Sequence, residues 1–275
     1  MVSGARSVGI LQGMDLLRRS SCVASAALLL LCAAPARSQD SASTRTGRAA
    51  VERCVEAMGG RARLREVRSA AIEIQAKASI KERHTLLLPS RALHYASRRE
   101  GGAGFDVVVK GDKGFLCDRD PEGKTSYVED LTEADLLEGA YERDVLFMPL
   151  LLEQLLADPR TRYDSRGPNS VGDVVVRVLA HPANGAVGEP FVIRLRFDKT
   201  SHLLVQSMGL VPCGADEGKK RFFSYGDYRA VGELKLPSSY SDERGKGTKP
   251  RAYRVTWSLN PKLSPTLFTR PRAGN

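Results

Sequence analysis

The sequence is poor in several things that would point to a quick answer. Aromatic residues are only 6% of the 275, and Trp257 is the one tryptophan. There are five cysteines and no C-x-x-C spacing, so neither a zinc knuckle nor a thioredoxin-like motif is supported. No window holds the run of five or six like charges that marks a basic tail. Four histidines, His84, His94, His181 and His202, lie more than five residues apart, and no H-E-x-x-H spacing exists. A serine elbow of the G-x-S-x-G kind is missing: Ser224 precedes Tyr225-Gly226 but has no glycine before it, and Ser69 has neither glycine. Gly101-Gly102-Ala103-Gly104 is not followed by the Lys-Ser/Thr of a phosphate loop, and it reads as a hairpin instead. Pairs such as Glu129-Asp130 read as solvated loop charge. These absences lower the expectation of a metal, nucleotide or triad enzyme, and no cofactor is called for.

What is there is ordinary globular composition: 42% hydrophobic, 27% charged, net charge +10. The length suits one large domain or two small ones at roughly 100–200 residues each. Thirty of the 42 basic residues are arginine, scattered along the chain, which argues against a nucleic-acid partner.

The first 38 residues read as an address. Arg18 and Arg19 precede the uncharged stretch 22–34, and Ala34-Pro35-Ala36 fits a small-x-small cleavage site. The stretch is shorter than the roughly 20 residues needed to span a bilayer. A cleavable signal peptide is therefore expected, with Met14 offering a more usual start than Met1, and a periplasmic location follows. Acylation at Cys32 is the lesser alternative, because Leu31 stands where a small residue is normal. Cleavage leaves a net of +7 and three cysteines, Cys54, Cys117 and Cys213. One disulfide among them is permitted by the compartment, and spacing does not say which.

After a polar lead-in at 39–46, a helix is expected over 47–58, stopped by Gly59-Gly60, and a second over 62–66. Strict alternation from Ile72 through Ile74 to Ile80 predicts one long strand over 72–81. Strands follow at 85–88, 92–97, 105–110 and 115–118. His84 and His94 fall on neighbouring strands, where they read as solvent-side or edge residues rather than a metal pair. Thr132 with Asp135 forms a capping box. Pro149 opens a leucine-rich helix, Leu150 to Leu156, stopped at Asp158-Pro159. Strands are then expected at 174–179, 191–197, 203–209, 221–228, 233–240 and 251–259, with Arg194, Arg196 and Arg254 on wet faces. This order describes an α+β fold and excludes an alternating βαβ chain.

The ordered features resemble the bacterial LolA/LolB-like lipoprotein-sorting superfamily. The residues concerned are Ala57-Met58-Gly59-Gly60 with Leu64, Val67 and Ser69; Lys110 to Phe115, with Phe115 at a usual tryptophan; Phe191 to Leu204; Tyr225 to Tyr228 with Val231 to Pro237; and Leu259-Asn260-Pro261 with Phe268 and Pro271. The resemblance covers nearly all of 47–272. It implies a strongly curved antiparallel sheet, an unclosed half-barrel, with helices packed against its concave face and an apolar cavity between them. The helix block 131–157 is longer than a minimal carrier needs. The expectation is a non-enzymatic periplasmic carrier of a lipid or lipidated protein. Ile72, Ile74, Leu150, Leu151, Leu155, Phe191, Ile193, Leu195, Val255 and Trp257 are the candidate acyl-chain contacts. Alternation alone does not distinguish such a cavity from a packed core. The alternative is an accessory envelope module that binds another protein without a ligand cavity. Peripheral contact with anionic lipid is a secondary expectation from the charge.

Overall fold

A computed structural model describes residues 42–77, 80–180, 191–213, 217–244 and 249–272. The expected signal peptide, Cys32 and His181 lie outside these residues. In order come α1 (Ala42–Ala57), α2 (Arg61–Glu66), β1 (Ser69–Lys77), β2 (Ile80–Leu87), β3 (Ala92–Arg99), β4 (Gly104–Lys110), β5 (Lys113–Arg119) and β6 (Thr125–Asp130). After the helices α3 (Glu133–Leu146) and α4 (Met148–Ala157) come β7 (Arg162–Pro168), β8 (Val174–Ala180), β9 (Phe191–Phe197) and β10 (Leu204–Leu210). The chain ends with β11 (Lys220–Val231), β12 (Leu234–Arg244) and β13 (Arg251–Leu259).

The strands form one antiparallel sheet of order β6-β5-β4-β3-β2-β1-β13-β12-β11-β10-β9-β8-β7. Two meanders are thus joined by a single long-range pairing, β1 with β13. The edges β6 and β7 are not paired with each other, and α3–α4 is the connection between them.

Curvature follows from what α3 touches. A Cβ on Gly139 would meet the Val109 side chain of β4 at 2.8 Å, while the ring of Tyr141 lies 3.1 Å from the Cβ position of Gly209 on β10. Seven strand steps separate β4 from β10, roughly 34 Å on a flat sheet at about 4.8 Å per step. Residues 139 and 141 bridge that span only because the sheet wraps around the helix. The architecture is α+β, an unclosed half-barrel with helices on its concave face.

Several resemblance residues have clear physical roles. Gly59 and Gly60 adopt φ of 124° and 92°, which frees the chain to turn out of α1. The Met58 carbonyl then accepts from Lys235 N at 2.9 Å, tying the turn to β12. Asn260, at a left-handed φ of 48°, accepts from Arg68 N at 2.7 Å and donates to the Glu66 carbonyl at 3.1 Å. It pins the end of β13 to the start of β1.

The structure corrects several expectations. Helix α1 begins at Ala42, so most of the polar lead-in is helical. The single strand expected over 72–81 is two antiparallel strands, with Lys77 opposite Ile80. No glycine, proline or asparagine marks that reversal, so period-2 alternation carries straight through it. His84 and His94 are buried, at 2% and 7% exposure, not solvent-side. They also face opposite sides of the sheet, because His84 pairs with Tyr95 and His94 with Thr85. Among the described residues Cys54, Cys117 and Cys213 are free thiols. Burial pushes the Cys54 thiol up to about 12, which makes it unreactive.

Candidate functional site

The concave face is built by strand alternation. Ile72 pairs with Trp257 and Ile74 with Val255 across β1 and β13. On β9, Ile193 and Leu195 point the same way, opposite Val178 and Val176 of β8. All six of these isoleucine, leucine, valine and tryptophan contacts from the candidate set are buried, with Trp257 the most accessible at 8%. Phe191, at the start of β9, is only half-buried.

Between β13 and β9 the concave face is aromatic, which the sequence reading missed. Phe223, Tyr225 and Tyr240 meet edge-on at 5.0–5.5 Å, and Tyr240 continues to Trp257 at 6.5 Å. Phe147, where α3 passes into α4, meets Trp257 at 5.9 Å. A chain with few aromatics gathers five of them here, each pair adding about 0.5–1.5 kcal/mol beyond area burial. The signal existed: Phe223 and Tyr225 share strand parity.

Leu150, Leu151 and Leu155 lie on α4, which is buried from Met148 through Glu153 and again at Leu155 and Leu156. The helix starts on Pro149, whose missing N–H costs nothing in the first turn. It packs against α1, α2 and α3. Its polar ties are few. Arg65 Nε donates to Glu153 at 2.6 Å, Arg91 Nε to Gln154 Oε1 at 2.7 Å, and Gln154 Nε2 to the Leu88 carbonyl at 2.7 Å. Arg48 reaches the Leu156 carbonyl at 3.2 Å.

Helix α3 is held differently. Its last carbonyls, which have no partner within the helix, accept from tyrosines on the sheet. Tyr225 donates to Val145 at 2.7 Å and Tyr240 to Leu146 at 2.9 Å. Beside them lies a buried ion cluster. Arg221 grips Asp242 through Nε at 2.7 Å and Nη2 at 2.8 Å, and also bonds Glu142 of α3. Arg244, directly across from Arg221 in register, bonds Asp242 at 3.2 Å. Two facing arginines would repel, and the two carboxylates between them reverse that. Burial, then the nearby Glu142 carboxylate, pushes Glu138 up to about 7. Arg221 shares its parity with Phe223 and Tyr225, a cue that a core position there holds a charge.

The structure therefore brings the β1–β13 contacts together with the start of α4 through Phe147 and Trp257. It leaves Ile193 and Leu195 on the far side of the aromatic group. Expected wet-face arginines are confirmed at Arg194 and Arg254, whereas Arg91, Arg143 and Arg221 are buried. Among the described residues no cluster of three metal-ligating side chains occurs. None of the helices there is long and apolar enough to cross a membrane.

No protein-family model and no curated protein matches this chain. It is similar to the crystal structure of a LolA superfamily protein from Nitrosomonas europaea at 10% identity and TM-score 0.46, covering 82% of this chain and 97% of that one. It is also similar to the crystal structure of a DUF1329 family protein from Desulfovibrio piger at 10% identity and TM-score 0.41, over the same 82% and 97%.

Proposed function

We propose that this protein is a non-enzymatic, exported carrier or binding protein for a lipid or lipidated polypeptide. The acyl chain is taken between the concave face of the sheet and α4, which acts as a lid. The supporting observation is the contrast between the two central helices. Helix α3 is fixed to the sheet by tyrosine hydroxyls and buried ion pairs, while α4 presents leucines inward and is tied by a handful of side-chain bonds at its margins.

Lifting α4 withdraws its five leucines from the core, at about 2 kcal/mol each. An acyl chain in their place returns about 0.8 kcal/mol per methylene, so a dozen carbons offset the loss. The exchange is nearly balanced, as uptake and release by a carrier require.

Native mass spectrometry on protein purified without detergent tests this. A stoichiometric lipid-sized adduct supports the carrier. Bare protein together with co-purifying polypeptides favours the second reading, an envelope module that binds other proteins. That reading draws on the tight burial of Ile72, Leu195 and Leu152, all 0% exposed, as in an ordinary filled core.

A further inference from the structure

The convex face carries a second, polar feature, separated from the acyl layer by the sheet itself. His94, Val108 and Phe115 sit side by side on β3, β4 and β5, opposite in parity to Tyr95 and Val107. Residues 264–271 run over them, with Phe268 packed on Val108, Phe115 and Cys117 and edge-on to His94 at 6.3 Å. Between wall and sheet lies a cleft of about 430 Å³, lined also by Arg98, Asp106, Arg119, Thr125 and Arg270. That is within the roughly 300–1,000 Å³ range of small-molecule sites.

The cleft is built around a buried charge. Asp106 is 4% exposed and accepts from Arg98 and from Arg119 Nε, the latter at 2.8 Å. Arg119 also donates to Thr125 Oγ1 at 2.6 Å, and Arg98 to the Phe105 carbonyl at 2.8 Å. Two arginines share one carboxylate, so the lining keeps a positive surplus before Arg270 is added. Each guanidinium has five N–H donors, and among the described residues the bonds to Asp106, Thr125 and the nearby carbonyls do not use all of them on Arg98 or Arg119. Arg270 Nε bonds the exposed Asp130 at 3.0 Å, and its terminal nitrogens make no hydrogen bond among the described residues. The imidazole of His94 is buried, and its Nδ1 has no hydrogen-bond partner among the described residues. Its Nε2 lies 3.8 Å from Asp106, too far for a hydrogen bond. An unpaired buried nitrogen costs about 1–3 kcal/mol unless something fills the cleft and meets it.

We propose that this convex-face cleft binds a small phosphoryl-bearing ligand, held by Arg98, Arg119 and Arg270 with His94 Nδ1 as a further contact. Three guanidinium groups lining one cleft offer more donors than a lone carboxylate can accept, and a phosphoryl group supplies further acceptor oxygens. Val108 and Phe115 give the site an apolar floor for the ligand's body.

The test is calorimetric titration of the full chain with inorganic phosphate, glycerol 3-phosphate and dihexanoyl phosphatidic acid, with histidine NMR alongside. Expected are saturable one-to-one binding of at least one probe, a shifted His94 signal, and about tenfold weaker binding in Arg270→Glu, or about 1.4 kcal/mol. Arg270 is half exposed, so the substitution buries no new charge, and circular dichroism and a thermal melt check its fold; Arg272→Glu serves as a charge-matched control outside the cleft. Tightest binding by the short-chain lipid assigns the site to a headgroup, and tightest binding by inorganic phosphate assigns it to the free anion. No saturable binding by any probe, unchanged affinity in Arg270→Glu, or equal loss in Arg272→Glu would overturn the proposal.

Discussion

The hydroxyl of Tyr240 donates to the Leu146 carbonyl at 2.9 Å, and through it strand β12 holds the end of α3. Removing the hydroxyl leaves a buried helix-end carbonyl unpaired. Tyr240→Phe is expected to cost about 1–2 kcal/mol in urea unfolding, with no change in the slope that reports exposed surface. An unchanged midpoint would contradict the anchoring of α3 to the sheet.

The ion cluster at Arg221 sits nearby and should behave differently from surface pairs. Glu142→Gln leaves Asp242 on Arg221 and removes one charged partner, an expected loss of about 1.5–3 kcal/mol. Glu73→Gln breaks only the exposed pair with Arg83, 3.2 Å apart, and should cost less than about 1 kcal/mol. Equal effects would mean that the Glu142 bond has no special weight.

Glu138 gives the fold a pH signature. Burial first, and then the Glu142 carboxylate, hold its carboxyl at about 7, against 4.5 for a free one, so the folded state binds this proton more tightly. Its contribution is complete below pH 4.5 and is lost as the pH rises through 7. Thermal melts of the wild type should therefore decline relative to Glu138→Gln across that window. Parallel curves would contradict the assignment.

If α4 is the lid, loosening its margin should matter for rate more than for stability. Gln154→Ala removes bonds to Arg91 and Leu88 and leaves every leucine in place. Stopped-flow uptake of a fluorescent acyl probe should be several-fold faster, with a melting temperature within a few degrees of wild type. A lower melting temperature with unchanged uptake would show that the bonds only stabilise the fold.

Most of the strand frame was legible because one face of each strand is buried, and β9 and β13 were read to their observed ends. The edge strands β6 and β7 were missed. Their sequences, TSYVED and RYDSRGP, are charged or end in proline, as edges that avoid pairing with other chains must be. Those two strands decide whether the barrel closes, so closure itself was not readable from alternation and rested on the family resemblance. Of the candidate site the sequence carried the β1–β13 part, since Ile72 and Ile74 do pair with Trp257 and Val255. The other aromatics around Trp257 and the buried arginines were not legible, because strand parity marks a position as inward without saying what it packs against. The convex cleft left no trace at all: it needs Arg98, Asp106 and Arg119 from three strands under a wall drawn from the far end of the chain.

The central claim is that acyl chains enter beneath α4, and Trp257 is placed to report it. It is the sole tryptophan, 8% exposed, with its indole N–H bonded to the Pro237 carbonyl at 2.7 Å and Phe147, at the hinge between α3 and the lid, against its ring. Its emission should be followed while detergent-free protein is titrated with hexadecanoic acid below its aggregation threshold. The expected result is a saturable one-to-one change that Trp257→Phe abolishes. Emission that stays constant, while native mass spectrometry of the same sample finds no adduct, would contradict the carrier.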